Sequence, residues 1–160
     1  MNNAAPVAEA GMFEFTTQSG ADTIAVGRKL ADLLEPPQLL LLRGDLGTGK
    51  TTLVKGIAQA LDAAETDEVT SPTFTLMHEF DGTRNGKPVK LYHLDVYRLE
   101  SERQLETLGL DDLLTPDALV VVEWGEKFKS IRKRATGEIA ISSAGGDARK
   151  ITVTMKEAAS

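Results

Sequence analysis

The sequence predicts a mixed α/β fold, and three observations carry that prediction. Apolar runs too short for a helix, residues 39–42 and 118–122, alternate with stretches whose apolar residues recur at helical spacing. Two further segments read as β-hairpins, one near the middle of the chain and one near its end. A glycine-rich loop joins the first apolar run to an amphipathic helix.

The chain has 160 residues, which predicts one domain. We expect a flexible leader over residues 1–11 and a single domain over 12–160. Hydrophobic residues make up 41% and charged residues 26%, ordinary for a soluble globular protein. Lys plus Arg number 18 against 24 Asp plus Glu, a net charge of −6. Such an acidic balance makes a poor electrostatic sleeve for DNA or RNA. The absence of cysteine excludes disulfides, thiol nucleophiles and thiolate-bound zinc. The two histidines, His78 and His93, make no ligand cluster with each other. No apolar run approaches the ~20 residues of a membrane helix. The first residues lack a basic start followed by an apolar stretch. A cytoplasmic protein without a membrane partner is expected.

Taken in order, Phe13 and Phe15 alternate with Glu14 and Thr16, a half-buried strand. Residues 21–34 place Val26, Leu30, Leu33 and Leu34 on one helical face, and Pro36-Pro37 stops the helix. Residues 39–42 read as a buried strand. A second helix is predicted over residues 50–61, with Leu53, Val54, Ile57, Ala58 and Leu61 inward. A strand over 74–80 and a turn over 81–88, containing Gly82, Asn85, Gly86 and Pro88, lead into a strand over 89–95. Residues 100–114 are charged and leucine-bearing and read as one helix ended by Gly109 and a short apolar turn. Residues 118–123 form a buried strand. Segments 138–143 and 150–155 alternate apolar and polar around the turn Gly145-Gly146-Asp147.

The strongest chemical signal is Gly44-Asp45-Leu46-Gly47-Thr48-Gly49-Lys50-Thr51-Thr52. It matches the Walker A pattern G-x-x-x-x-G-K-[ST]. Such a match arises by chance in roughly one shuffled chain in a hundred. Its placement between a buried strand and an amphipathic helix makes chance a poor account. Glycines allow consecutive N–H groups to converge on phosphate oxygens, and the following helix adds its positive dipole end. Lys50 supplies a full charge to the β- and γ-phosphates, while the Thr51 hydroxyl is placed to ligate Mg²⁺.

A phosphate loop of this kind needs acidic groups near the metal, normally at the carboxyl end of a neighbouring strand. Glu123 ends Val120-Val121-Val122, and Asp95 ends Leu91-Tyr92-His93-Leu94. Glu123 can hold Mg²⁺ or orient the attacking water, with Asp95 in the complementary task. The plain alternative is a strand-ending salt bridge, with Arg98 near Asp95. Trp124, the single tryptophan, reads as packing or as a nucleotide contact. Thr70-Ser71-Pro72-Thr73 is either a γ-phosphate sensor or a side-chain-capped turn. His93, alternating with apolar neighbours, reads as structural. Arg98 fits a surface ion pair better than neutralisation of transition-state charge.

Taken together, GDLGTGKTT, SPTFTL, YHLDVYRL and VVVEWGEK resemble the TsaE family of P-loop ATPases, in the family's order and spacing over residues 44–127. The resemblance implies a P-loop NTPase-like mixed β-sheet with helices on both faces. It implies ATP bound by Gly47 to Thr52, Mg²⁺ held by Thr51 and Glu123, and a functional Asp95. Thr48 stands where the family often has alanine, and Gly125 where proline is common. It further implies a role in threonylcarbamoyladenosine modification of tRNA, beside a TsaD-like transferase and a TsaB-like companion that handle the tRNA. ATP binding or hydrolysis would then support repeated turnover of that complex.

Two other readings share the loop. A small-molecule kinase would need an acceptor pocket and a mobile Arg-rich lid, for which Ile131-Arg132-Lys133-Arg134 is the candidate. A nucleotide-dependent scaffold would bind ATP with little turnover. A GTPase switch would carry an Asn/Thr-Lys-x-Asp segment, and none occurs.

Overall fold

Residues 11–45, 47–63, 69 and 76–156 are described by the computed structural model of the chain. In chain order the elements are β1 (Met12–Thr17), α1 (Gly20–Leu33), β2 (Gln38–Arg43), α2 (Lys50–Ala60), β3 (Met77–Arg84), β4 (Lys87–Asp95), α3 (Glu102–Glu106), α4 (Leu110–Leu113) and β5 (Ala118–Glu123). A single 3₁₀ turn (Gly125–Lys127) precedes α5 (Lys129–Arg134), and β6 (Gly137–Ser143) and β7 (Arg149–Met155) close the order.

The strands form one sheet in the order β1-β7-β6-β2-β5-β4-β3. The four central strands run parallel, because β2 pairs in parallel with both β5 and β6, and β4 with β5. The edges are antiparallel, made by the hairpins β3–β4 and β6–β7 and by β1 against β7. Central parallel strands are covered on both faces, and β5 is buried along its whole length. Alternate side chains feed two cores. Leu40, Leu42 and Val121 pack with α1 and α2, whereas Leu39, Leu41, Val120 and Val122 pack with Leu105 of α3, Leu110 of α4 and Ile131 of α5. The result is a P-loop NTPase-like mixed sheet with helices on both faces.

Helix α1 starts where Ser19 accepts a bond from Asp22 N and Asp22 reaches back to Gln18 N, a reciprocal cap. Its last carbonyls, Ala31 O and Asp32 O, accept from the Arg84 guanidinium, a cation at the negative end of the helix. Val26, Leu30 and Leu34 are buried as the spacing predicts, but Leu33 is 43% exposed. At 100° per residue it falls just outside the face that meets the sheet.

The first hairpin is tighter than the sequence suggested. Strands β3 and β4 pair through Arg84↔Lys87, so the turn is Asn85-Gly86 alone, both in left-handed backbone (φ 52° and 78°). That is the favoured chemistry of a two-residue hairpin. Gly82 and Pro88, read as turn residues, lie in the strands. Gly82 is needed there, since a Cβ would stand 2.4 Å from Leu61 O. Residues 100–114 form two short helices rather than one, because the chain turns left-handed at Gly109 (φ 72°) between α3 and α4. Helix α5 lies in a stretch for which the sequence suggested no element. The expected start of β3 at residue 74 and the Thr70–Thr73 loop lie outside the described residues.

Candidate functional site

Parallel pairing brings three strand ends to one level. Leu42 of β2 lies beside Glu123 of β5, which lies beside Asp95 of β4. The alternation that sends Leu40, Leu42 and Val121 toward α2 also sends Glu123, Asp95 and His93 to that face. The glycine-rich loop leaves β2 directly above them. Gly44 has no room for a Cβ, which would stand 2.7 Å from both Ile141 O and Thr48 Oγ1. Thr48 turns its N–H and hydroxyl back to Asp45 O. Gly47 and Gly49 adopt φ of 80° and 103°, and Gly49 is the N-cap of α2. Alternating backbone hands of this kind aim successive N–H groups into an anion-sized concavity. Lys50, Thr51 and Thr52 form the first turn of α2, and Leu46 is not among the described residues.

Lys50 is the hinge of the arrangement. Its ammonium donates to Gly44 O at 2.8 Å and stands 3.3 Å from Glu123 Oε1. The other carboxylate oxygen, Oε2, lies 2.7 Å from Nε2 of a fully buried His93. Burial alone pushes the Glu123 carboxyl up, but the bond from His93 and the Lys50 ammonium outweigh it and hold its pKa below the usual carboxylate value. Glu123 is therefore ionised at neutral pH and only accepts, so His93 Nε2–H is the donor of this bond. The fold brings Lys50 and Glu123, singled out separately in the sequence, into one ion pair. Asp95 is buried at the same level, with Oδ1 accepting from Tyr97 N at 2.9 Å.

Several neighbours escaped the sequence reading. Tyr97 packs its ring on Trp124 at 4.9 Å between centroids. Lys127 donates to Tyr97 O and Leu99 O, tying the exit of β4 to the exit of β5. Arg149 at the start of β7 donates from Nε to Thr48 O at 2.9 Å and from Nη1 to Gly146 O. No periodicity links Arg149 to the loop, so nothing in the sequence signals it. His93 did leave a signal, since it sits two residues before Asp95 and hence on the same face.

A cleft of about 220 Å³ opens on the other side of the loop, lined by Ser19, Thr23, Thr48, Thr52, Asp147 and Arg149 among others. A larger hollow of about 490 Å³ lies between α3, α4 and α5. It is on the opposite face and contains no residue of the loop or of the strand ends, so volume does not decide the site here. The basic cluster Arg132-Lys133-Arg134 sits on α5, on that same opposite face, where Arg134 pairs with Asp111 and Arg132 donates to Glu126 O.

A family model described as "Threonylcarbamoyl adenosine biosynthesis protein TsaE" matches residues 17–151. The chain belongs to the TsaE family. A Bacillus subtilis protein called "tRNA threonylcarbamoyladenosine biosynthesis protein TsaE" is 38% identical over 141 residues, covering 88% of this chain and 84% of the relative. A Treponema pallidum protein of the same name is 36% identical over 137 residues, covering 86% and 96%. The crystal structure of Bacillus subtilis YdiB superposes with a TM-score of 0.63 at 32% identity, over 90% of this chain and 85% of that one. The TsaE match spans the loop, Asp95 and Glu123 together.

Proposed function

We propose that the chain binds ATP and hydrolyses it with Mg²⁺ in support of the threonylcarbamoyladenosine modification of tRNA. The observation that carries the reading is the meeting of Lys50 with Glu123 at the mouth of the glycine-rich loop. The loop amides and the α2 N-terminus would cradle the phosphates, and Lys50 would leave Glu123 Oε1 for the β- and γ-phosphate oxygens. Relieved of Lys50, Glu123 would face the phosphates with one anionic oxygen. Asp95, beside it in register, is the second acid available to orient water.

The donor set fits Mg²⁺. Thr51 offers a hydroxyl from the first turn of α2 and Glu123 an ionised carboxylate. No cluster of three or more potential ligands occurs among the described His, Asp and Glu residues, which suits an ion that keeps waters and substrate phosphate oxygens. When bound, it would neutralise charge on the phosphates during in-line attack of water.

The family name of the relatives and the acidic net charge of the chain favour an ATPase that serves other proteins. The partners we propose are a TsaD-like transferase and a TsaB-like companion. The test is phosphate release with Mg²⁺, alone and with that complex, beside a panel of small acceptors. Hydrolysis that rises with the complex and labels no acceptor supports the reading. Phosphate appearing on a small molecule without the complex overturns it in favour of a kinase. In the same assay Lys50→Ala should abolish nucleotide binding or turnover. Glu123→Ala should keep most of the binding and lose hydrolysis by about 100-fold or more. Normal hydrolysis by both variants would refute the assignment of the site.

A further inference from the structure

His93 is wholly buried on β4, and its register partner on β5 is Val121, two residues before Glu123. Glu123 is thus its diagonal neighbour on the same face, within reach of a long side chain. The 2.7 Å contact takes up Oε2 of Glu123 and leaves Oε1 facing Lys50. A carboxylate turns readily about its last torsion, so the two oxygens keep separate tasks only if something holds one of them. The other ring nitrogen, His93 Nδ1, is buried without a hydrogen-bond partner among the described residues. The imidazole therefore spends its only polar bond in that set on Glu123. A histidine kept merely to satisfy a core would gain more from a site where both nitrogens are bonded.

We propose that His93 is a positioning residue that clamps Glu123 Oε2 and so presents Oε1 to the phosphate side of the loop. The assignment rests on the ATPase reading above. His93 touches neither phosphate nor water in this role and acts through Glu123 alone. Removing it leaves a buried carboxylate oxygen unpaired and free to turn away from the site.

The experiment compares the full-length wild type with His93→Leu and His93→Gln. Leucine fills the space without a donor. Glutamine places an amide N–H where the imidazole Nε2–H stood. Readouts are kcat and KM for MgATP hydrolysis in the presence of the activating complex, ATP affinity by calorimetry, and a thermal melt. His93→Leu should lower kcat by about 10–100-fold, the usual effect of losing a partner one shell out. Its KM and affinity should stay within about two-fold, and His93→Gln should recover most of kcat. The split and the rescue are what a purely structural histidine would not give.

Wild-type kcat in His93→Leu would overturn the proposal. So would kcat in His93→Gln as low as in His93→Leu while both melt like the wild type, or affinity falling in step with kcat. Should His93→Leu fail to fold, His93→Gln decides alone, and a kcat more than about ten-fold below wild type in that folded variant refutes the clamp. A wild type that hydrolyses no ATP under any condition is a different failure, that of the ATPase reading itself.

Discussion

Trp124 holds a left-handed backbone conformation, φ 66°, which costs a bulky residue about 1 kcal/mol or more. The position directs the ring outward, 38% exposed, over Tyr97 and with Lys50 Nζ 5.7 Å from its centroid. That distance is within cation–π range. Because it is the single tryptophan, its emission reports on one place. Titrating MgATP should draw Lys50 to the phosphates and change the Trp124 fluorescence, and Lys50→Ala should remove the response. An unchanged spectrum under saturating nucleotide would mean that Lys50 does not leave the ring. At this scale the sequence was informative wherever one residue has one dominant use. Glycines and a lysine in the loop, and acids ending apolar strands, point to their chemistry directly. His93, read as structural, is indeed fully buried, and its parity with Asp95 says which face it shares.

Helices α1 and α2 cross in backbone contact. A Cβ on Gly27 would stand 2.2 Å from Leu53 O, and one on Gly56 2.1 Å from Ile24 O. Backbone cannot yield as a flexible side chain does, so Gly56→Ala should destabilise by about 1–3 kcal/mol, even though alanine is the better helix former. Thermal melting checks it, with Tm expected to fall by roughly 2–4 °C per kcal/mol for a chain of this size. Apolar spacing showed that both helices exist but not that they touch through glycines, since a missing side chain has no periodicity. Helices α3 and α5 are joined differently, by Glu102 accepting from the Ser130 hydroxyl and amide. Those bonds hold the Glu102 pKa below the usual carboxylate value. With the folded pKa depressed, the link contributes above the ordinary carboxylate pKa and is lost as pH falls through the lowered one. Ser130→Ala should raise the Glu102 pKa toward its ordinary value, which NMR titration of the side-chain carboxyl would follow. Neither short helix was delimited by the sequence, because five or six residues carry too little period to read.

Across the whole molecule, the parallel centre of the sheet delivers Gly44, Asp95 and Glu123 to one end, and the antiparallel edges close it off. This much was legible, since a Walker A pattern after a buried strand directs attention to acids at the carboxyl ends of neighbouring strands. The strand order was not, because pairing between distant segments leaves no mark in local pattern. Arg149 depends on that order. Only because β7 folds back along β6, which lies beside β2, does its guanidinium reach Thr48 O and Gly47 O from about a hundred residues away. The same side chain bonds Gly146 O and Ala148 O, so it ties the last turn to the loop. Losing the bond to Thr48 O should loosen the carbonyl side of the loop while leaving Lys50, Glu123 and Asp95 in place. A partly buried, charge-assisted bond is worth about 1.5 kcal/mol, or roughly ten-fold in affinity. Arg149→Ala should therefore weaken MgATP binding by about that factor with kcat at saturation changed little more than two-fold. Arg149→Lys should not restore it, because a single ammonium cannot serve the Thr48 and Gly146 carbonyls in the planar fork's geometry. Calorimetry of all three proteins, with a melt to check folding, separates this from a loop held by its own glycines, for which affinity in Arg149→Ala would match the wild type.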